Sequence, residues 1–482
     1  MRYVSLKDAE PGMNLAYDLY DSYGRTLISS NAKLTRAYIA KLEKLGFDGV
    51  YIQDVLSQDI EIEPVITPEL RAEGLASVRT QNIDKCQDVA KDIVEQIASK
   101  GKLSLDLTDL RTFDDYTYAH SVNVAVYSCV IGFGLKLEAE DLKNLVMASL
   151  LHDFGKMTID AEIINKPERL SAEEFSIMKS HAERSYEMIK NRVGISAQIK
   201  QAVLYHHENE DGSGYPHGVD GSELSLYTKI LHVADVYDAL TSKRPYKRPY
   251  SPYEASEYLM GGCDIMFDKK VVEAFLRYVP LFPKGTAVRL SDGREAIIFD
   301  NTGNRNLRPI LRTMDGRMLD LESPENLSIT IVTSTDETAP VTENAENARR
   351  QMVNPGKKYH IVAVDDMKSN LIQLDEDLKH LYDMTLLKSG AQAVLYLKKN
   401  PYPDLILIDI AMPEMDGIET AKKIQELTDG KVPILFVTAL RDRNTVMQCR
   451  EVNAAGYVVR PYKLVFLKSE IKRIITGQSD ID

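Results

Sequence analysis

The chain has 482 residues and carries 59 lysines and arginines against 72 aspartates and glutamates, a formal charge of −13. Its length predicts about three domains, and 44% hydrophobic with 27% charged residues is ordinary for globular protein. So acidic a chain is a poor polyelectrolyte partner for nucleic acid, which excludes DNA as the expected ligand and leaves room for a small anionic nucleotide at a local basic cluster. The opening MRYVSLKDAE holds no apolar segment of the signal-peptide kind. No uncharged apolar run reaches the ~18 residues that span a bilayer, and the nearest approach begins at Val122. Cys86, Cys129, Cys263 and Cys449 are scattered without a C-x-x-C pair, which suits a reducing cytosol and argues against a disulfide framework or zinc ribbon. A cytoplasmic protein without membrane insertion is expected.

Residues 1–64 alternate short strand-like runs around Gly12 and Gly24 with a helix in LTRAYIAKLEKLG and a strand at VYIQD, a small α+β module. Residues 66–285 run almost wholly in helical period: 66–101 reads as a helical connector and 102–285 as an all-α bundle. Residues 286–333 return to short strands with glycine turns, a small β module. The stretch 334–357 is polar, contains proline and lacks an apolar period, so it reads as a flexible linker. From 358 to 482 the runs YHIVAVDD, MTLLKS, DLILIDI, PILFVTA and GYVVRPY alternate with amphipathic helices. That alternation predicts an α/β domain with a doubly wound parallel sheet. The expected fold class is therefore multidomain.

Five of the nine histidines, His120, His152, His181, His206 and His207, fall within 88 residues, where even scattering would place fewer than two. Helical spacing aligns each with an apolar face. Leu142, Leu145, Val146 and Ser149 lead to His152 and Asp153; Phe175 and Met178 lead to His181; Ile199 and Val203 lead to His206 and His207. Leu231 and Ala234 lead to Asp235, with Asp238 one turn later. A lone inward histidine is usually a hydrogen-bonded core residue. Several converging in one bundle need compensation, which a divalent metal provides while holding imidazole neutral. Imidazole and carboxylate without thiolate point to Fe, Mn or Zn.

The strings LLHDFGK, KSH, HHENEDGSGYPHG and ADVYDALTSKRPYK, with His120 ahead of them, resemble the HD-GYP phosphodiesterases over about residues 102–285. The resemblance implies hydrolysis of cyclic di-GMP to the linear dinucleotide or onward to GMP. It also implies His120, His152, Asp153, His181, His206, His207 and Asp235 as ligands of two divalent ions, Fe or Mn foremost, with Asp153 bridging them. Asp153 and Lys156 become the catalytic residues, with Lys156 on the scissile phosphate. Gly214, Tyr215 and Pro216 become the signature loop, and Arg244 and Lys247 the phosphate and guanine contacts. Members that bind a third ion carry a glutamate where this chain has Tyr116, so two ions are expected.

The chemistry suits these residues. A phosphodiester is an anion with a largely electrostatic barrier, and two ions ~3.5–4 Å apart can clamp the attacking and leaving oxygens. The run TSKRPYKRPY holds Lys243, Arg244, Lys247 and Arg248 with no acid, a plausible anion clamp in so acidic a chain, although most such runs are solvated loops. DGSGYPHG alone would read as a surface turn; with the resemblance it is a substrate lid or a docking surface.

Asp365 and Asp366 end the first strand of the C-terminal domain and Asp409 the third, at the sheet crevice where ligands bind. Three carboxylates there call for a hard cation such as Mg²⁺. VDDMKSN, DIAMPEMDG, VTA and GYVVRP resemble response-regulator receivers. The resemblance makes Asp409 the phosphoacceptor, Asp365, Asp366 and Asp409 the Mg²⁺ residues, and Thr438 and Tyr457 the switch pair. Arg460 stands where that family has lysine. The expected whole is a two-component output enzyme acting on cyclic di-GMP, phosphorylated by a sensor histidine kinase or small phosphodonor. It is expected as a homodimer, with diguanylate cyclase-type domains as a further partner. Two alternatives stay open: a non-catalytic nucleotide sensor or scaffold, and a phosphodiesterase for another cyclic dinucleotide.

Overall fold

The computed structural model describes residues 1–21, 25–45, 47, 49–100, 116–164, 166, 170–242, 249–301, 305–334, 359–439, 448–449, 452 and 454–476. Nearly all of the expected linker, and with it Arg244 and Lys247, lies outside the described residues. The chain divides into two compact units, one of residues 1–256 and 266–340, the other of 257–265 and 341–482.

In the first unit β1 (Arg2–Ser5), β5 (Gly49–Gln53) and β2 (Asn14–Leu15) form an antiparallel sheet in the order β1-β5-β2. Against it packs α1 (Arg36–Lys44), capped by Thr35, whose hydroxyl accepts from the Tyr38 N–H, an arrangement worth about 1 kcal/mol. A second antiparallel sheet comes from residues 287–334, with β6 (Ala287–Leu290), β7 (Glu295–Asp300) and β8 (Ile310–Thr313) at its centre. The two sheets share a hydrophobic cluster of Tyr51, Ile60, Ile62 and Ile297. Arg312 of β8 adds an ion pair to Asp59 and donates to the Leu56 carbonyl at 2.9 Å. Neither segment's own pattern signals this join, because its contacts cross some 250 residues of sequence.

Between these sheets in sequence lies the bundle. Its central helix, α4 (Tyr116–Gly134), has Val122, Val124, Ala125, Val126, Cys129, Val130 and Ile131 fully buried, the all-round burial expected of a core helix. Around it pack α5 (Ala139–Leu151), α10 (Leu226–Thr241) and α12 (Lys269–Tyr278), together with α2 (Pro68–Arg79) and α3 (Ile83–Ser99). The stripe Cys86, Val89, Ala90, Ile93, Val94 and Ile97 seats α3 on α5. Residues 68–99 of the expected connector are thus packed into the bundle rather than merely leading to it. Among the described residues no helix is long and apolar enough to cross a membrane.

The second unit holds a parallel five-stranded sheet in the order β12-β11-β13-β14-β15: β11 (His360–Val364), β12 (Asp383–Leu387), β13 (Leu405–Ile408), β14 (Ile434–Thr438) and β15 (Gly456–Val459). Every residue of β13 and β14 is buried, as strands covered on both faces require. The register pairs Val364 with Ile408, Ile408 with Phe436 and Thr438 with Val459. The strands therefore finish level, and Asp365, Asp409, Thr438 and Arg460 arrive at one edge.

Candidate functional site

In the bundle, local chain geometry places most of the expected metal ligands at helix ends. His152 and Asp153 follow the last residue of α5, and His206 and His207 follow α9 (Ala197–Tyr205). His120 and Asp235 sit within α4 and α10. His181 departs from the sequence expectation. The helix through Phe175 and Met178, α7 (Ala172–Lys179), buries none of its residues and stands on a capping box between Ser171 and Glu174. His181 instead opens the next helix, α8 (His181–Ile189). The turn Phe154–Thr158, which carries Lys156, approaches α8 so closely that a Cβ on Gly155 would lie 2.1 Å from the His181 carbonyl, and the Gly155 N–H donates to Ser185 Oγ at 2.7 Å.

The seven side chains converge. His120, His152 and Asp153 form one group, His152, His206 and Asp235 a second, and His181, His206 and His207 a third, with ligand atoms within 4.8 Å of one another in each. His120 Nε2 lies 2.9 Å from Asp235 Oδ1 and 3.6 Å from Asp153 Oδ2. Asp153 faces two ways: Oδ2 is 3.4 Å from His152 Nε2, while Oδ1 is 3.4 Å from His181 Nε2. A carboxylate so placed can serve two cations.

The hydrogen bonds on the far side of the rings decide what the rings offer. The Nδ1 atoms of His152, His181 and His206 meet the carbonyls of Ser149, Met178 and Val203 at 2.6, 2.7 and 2.8 Å. A carbonyl only accepts, so each Nδ1 carries the proton and each Nε2 a lone pair. His181 Nε2 and His206 Nε2 then face each other at 3.2 Å with no proton between them. The buried His152 Nε2 and Asp153 Oδ1 have no hydrogen-bond partner at all. Buried lone pairs facing one another are costly unless a cation lies among them. The donor set therefore fits divalent metal.

Electrostatics agree. Burial lowers the pKa of His152, His206 and His207 and takes that of His181 down to about 4, so all four stay neutral at pH 7. Burial alone would raise the Asp153 pKa, but Lys156, together with His152 and His181 once acid protonates them, holds its carboxyl well below the usual range. Lys156 reaches Asp153 Oδ2 at 2.8 Å and is partly open to solvent.

The signature loop is clamped beside this group. The Tyr215 ring stacks on His207, centroids 4.6 Å apart and planes at 25°, and the Tyr215 N–H donates to the His207 carbonyl at 3.1 Å. A Cβ on Gly214 would lie 2.4 Å from that same carbonyl, so the chain can pass only as glycine. Pro216 follows Tyr215 through a cis peptide bond. Glu208, which sequence reasoning passed over, is 1% exposed, and its carboxylate accepts from the N–H groups of His217, Gly218 and Val219 at 2.7, 3.0 and 3.1 Å. An acid beside two histidines at the mouth of a glycine-rich loop was the available signal.

In the second unit Asp365, Asp366 and Asp409 also gather within 4.8 Å. Burial and the charge of Asp365 raise the Asp409 pKa. Thr438 is buried at the end of β14 and Tyr457 is buried in β15. Arg460 Nη1 meets Asp365 Oδ2 at 2.5 Å and lies 3.7 Å from Asp409 Oδ1. Asp365 also accepts from the Met367 N–H at 2.8 Å and from Asn370 at 3.0 Å, a second residue that sequence reasoning passed over.

Two domain families match the regions that hold these clusters. Residues 98–271 match the HD domain and residues 361–472 the response regulator receiver domain. The chain is similar to a cyclic di-GMP phosphodiesterase of Pseudomonas aeruginosa, 34% identical over 262 residues that cover 53% of this chain and 63% of that protein. It is similar to the cyclic di-GMP phosphodiesterase response regulator RpfG of Xanthomonas campestris, 39% identical over 144 residues, 30% of this chain and 38% of that protein. It is also similar to a 3′3′-cGAMP-specific phosphodiesterase of Vibrio cholerae, 38% identical over 166 residues, 34% of this chain and 31% of that protein. The chain spans less than two thirds of the length of each of these relatives. It carries an HD domain and, C-terminal to it, a response regulator receiver domain.

Proposed function

We propose that the chain is a metal-dependent phosphodiesterase for a cyclic dinucleotide, cyclic di-GMP foremost, and that phosphorylation of Asp409 in the receiver domain controls it. The observation that carries the reading is the set of seven converging side chains, among which the buried His152 Nε2 and Asp153 Oδ1 are left without a hydrogen-bond partner. His120, His152, Asp153, His181, His206, His207 and Asp235 hold two divalent ions, Fe or Mn. Ions bound there supply positive charge for the phosphate and make water acidic enough to be a nucleophile at neutral pH. Asp153 presents one oxygen to each side of the site. Lys156 places its ammonium where the phosphoryl oxygens gain charge and so lowers the barrier electrostatically. The Glu208-clamped loop keeps Tyr215 over His207, a fixed wall on one side of the ligands. Gly214, Tyr215 and Pro216 shape that wall, and Arg244 and Lys247 grip the nucleotide. In the receiver domain Asp365, Asp366 and Asp409 hold Mg²⁺, and a histidine kinase or small phosphodonor supplies the phosphoryl group.

A second substrate is favoured by one finding: the cGAMP-specific relative matches as well per residue as the cyclic di-GMP ones. The test is turnover of cyclic di-GMP and of 3′3′-cGAMP by purified protein, anaerobically with Fe²⁺ and separately with Mn²⁺, beside an Asp153→Asn control. Metal-dependent cleavage that disappears in the control is expected. Bound metal with neither substrate cleaved would overturn the enzyme reading in favour of a nucleotide sensor.

A further inference from the structure

His120 differs from His152, His181 and His206 in what orients its ring. Those three lean on backbone carbonyls, whereas His120 Nδ1 meets a carboxylate oxygen, Asp238 Oδ2, at 2.7 Å. Asp238 is itself buried at 2% exposure and also accepts from Ser242 Oγ at 3.2 Å. Its other oxygen accepts from Asn123 Nδ2 at 3.0 Å, and Asn123 Oδ1 accepts from Arg71 Nη1 at 3.0 Å. Arg71 is 3% exposed and lies on α2, N-terminal to residue 98, where the match to the HD domain begins.

The chemistry of the chain fixes its polarity. Guanidinium has donors and no acceptor; carboxylate has acceptors and no donor. Asn123, between them, can satisfy both only with Oδ1 toward Arg71 and Nδ2 toward Asp238. Asp238, held this way, takes the Nδ1 proton of His120 and leaves the Nε2 lone pair aimed at Asp235 and Asp153. We infer that Arg71 is a positioning residue for the metal centre, acting through Asn123 and Asp238 to orient the ligand His120. This rests on the reading of His120 as a metal ligand. It makes α2 part of the site, although sequence reading takes residues 66–101 as a connector.

The test uses the full chain with Mn²⁺ and Co²⁺ as probes. Metal is stripped, and the affinities for the first and second ions are measured by chelator competition for wild type, Arg71→Met and Arg71→Lys, with circular dichroism and melting for each. Arg71→Met is expected to fold and to bind one of the two ions about 10-fold more weakly, the usual cost of losing a hydrogen bond behind a ligand. The Co²⁺ visible bands of that site should change with it. Arg71→Lys, which keeps a donor, is expected to recover most of the affinity. A folded Arg71→Met with both affinities within experimental error of wild type would make Arg71 a packing residue and overturn the inference. Should Arg71→Met not fold, Asn123→Asp decides. It keeps an acceptor for Arg71 but removes the donor to Asp238, so the same 10-fold loss supports the inference and unchanged affinities overturn it. Wild type that binds neither ion would remove the metal reading itself.

Discussion

The bundle and the receiver each bring carboxylates and basic groups together, yet the two clusters are in opposite states. In the bundle, His152 Nε2 and Asp153 Oδ1 are buried without a partner, and His181 Nε2 faces His206 Nε2 across 3.2 Å. Every outer hydrogen bond of those rings is made, so the shortfall is confined to the side that faces the other ligands. In the receiver, the innermost acid, Asp365, already accepts from a backbone N–H, from Asn370 and from Arg460. The first cluster leaves buried lone pairs that a divalent cation would satisfy. The second has a covalently attached one at hand. Acidic residues gathered in space differ in how far the surrounding donors already satisfy them, and an entering cation must displace whatever does so.

Four experiments break or sharpen that contrast. Asp153→Asn should have the largest effect, because it removes the group that faces both sides of the bundle site; turnover of the cyclic dinucleotide should fall to background and the bound metal, read by elemental analysis, should fall with it. Lys156→Met comes next. It should lower kcat by about 10²-fold, as losing one charge stabilising the transition state does, with metal content unchanged, and an equal loss of metal would show Lys156 to be holding Asp153 instead.

In the receiver, Arg460→Lys should tighten Mg²⁺ binding several-fold. A lysine presents one compact charge, whereas the guanidinium fork stays locked on Asp365. Fluorescence or calorimetric titration with Mg²⁺ reads this, and unchanged affinity would mean that Arg460 does not compete with the cation. The smallest effect belongs to Asp59, whose hydrogen bond to Arg312 takes its pKa down to about 2. A carboxyl depressed on folding adds stability above its ordinary pKa and loses it as pH falls through the folded one, so the contribution fades between about pH 4 and pH 2. Asp59 is half exposed, so solvent screens the pair and the effect is slight. Asp59→Asn should flatten the fall in melting temperature over that window, and identical slopes would assign the acid sensitivity to other groups.

Much of this was legible in the residues. The receiver's strands announce themselves because a strand buried on both faces is apolar along its length, as Leu405–Ile408 and Ile434–Val437 are. The gathering of the bundle's histidines and aspartates was legible because such residues at the end of an apolar helical stripe have little reason to be there unless they serve one another. The same reasoning failed at His181, where helical spacing carried Phe175 and Met178 onto a face that the break at Ser180 never buries.

Composition and spacing by themselves determined the order of the segments and the helical or strand character of each, and they drew attention to the clustered histidines; the set of seven came from the family resemblance. Segment character and histidine placement follow from local period and from the short-range reach of a helix end. Tertiary structure alone decided that His120 leans on Asp238, that Glu208 clamps the signature loop, that Arg460 reaches Asp365, and that Arg71 stands behind His120. Each of these depends on a directional hydrogen bond or ion pair, and all but the loop clamp join residues more than 50 apart in sequence. Periodicity records which side of an element is apolar and carries no information about the partner that a polar atom meets across the core.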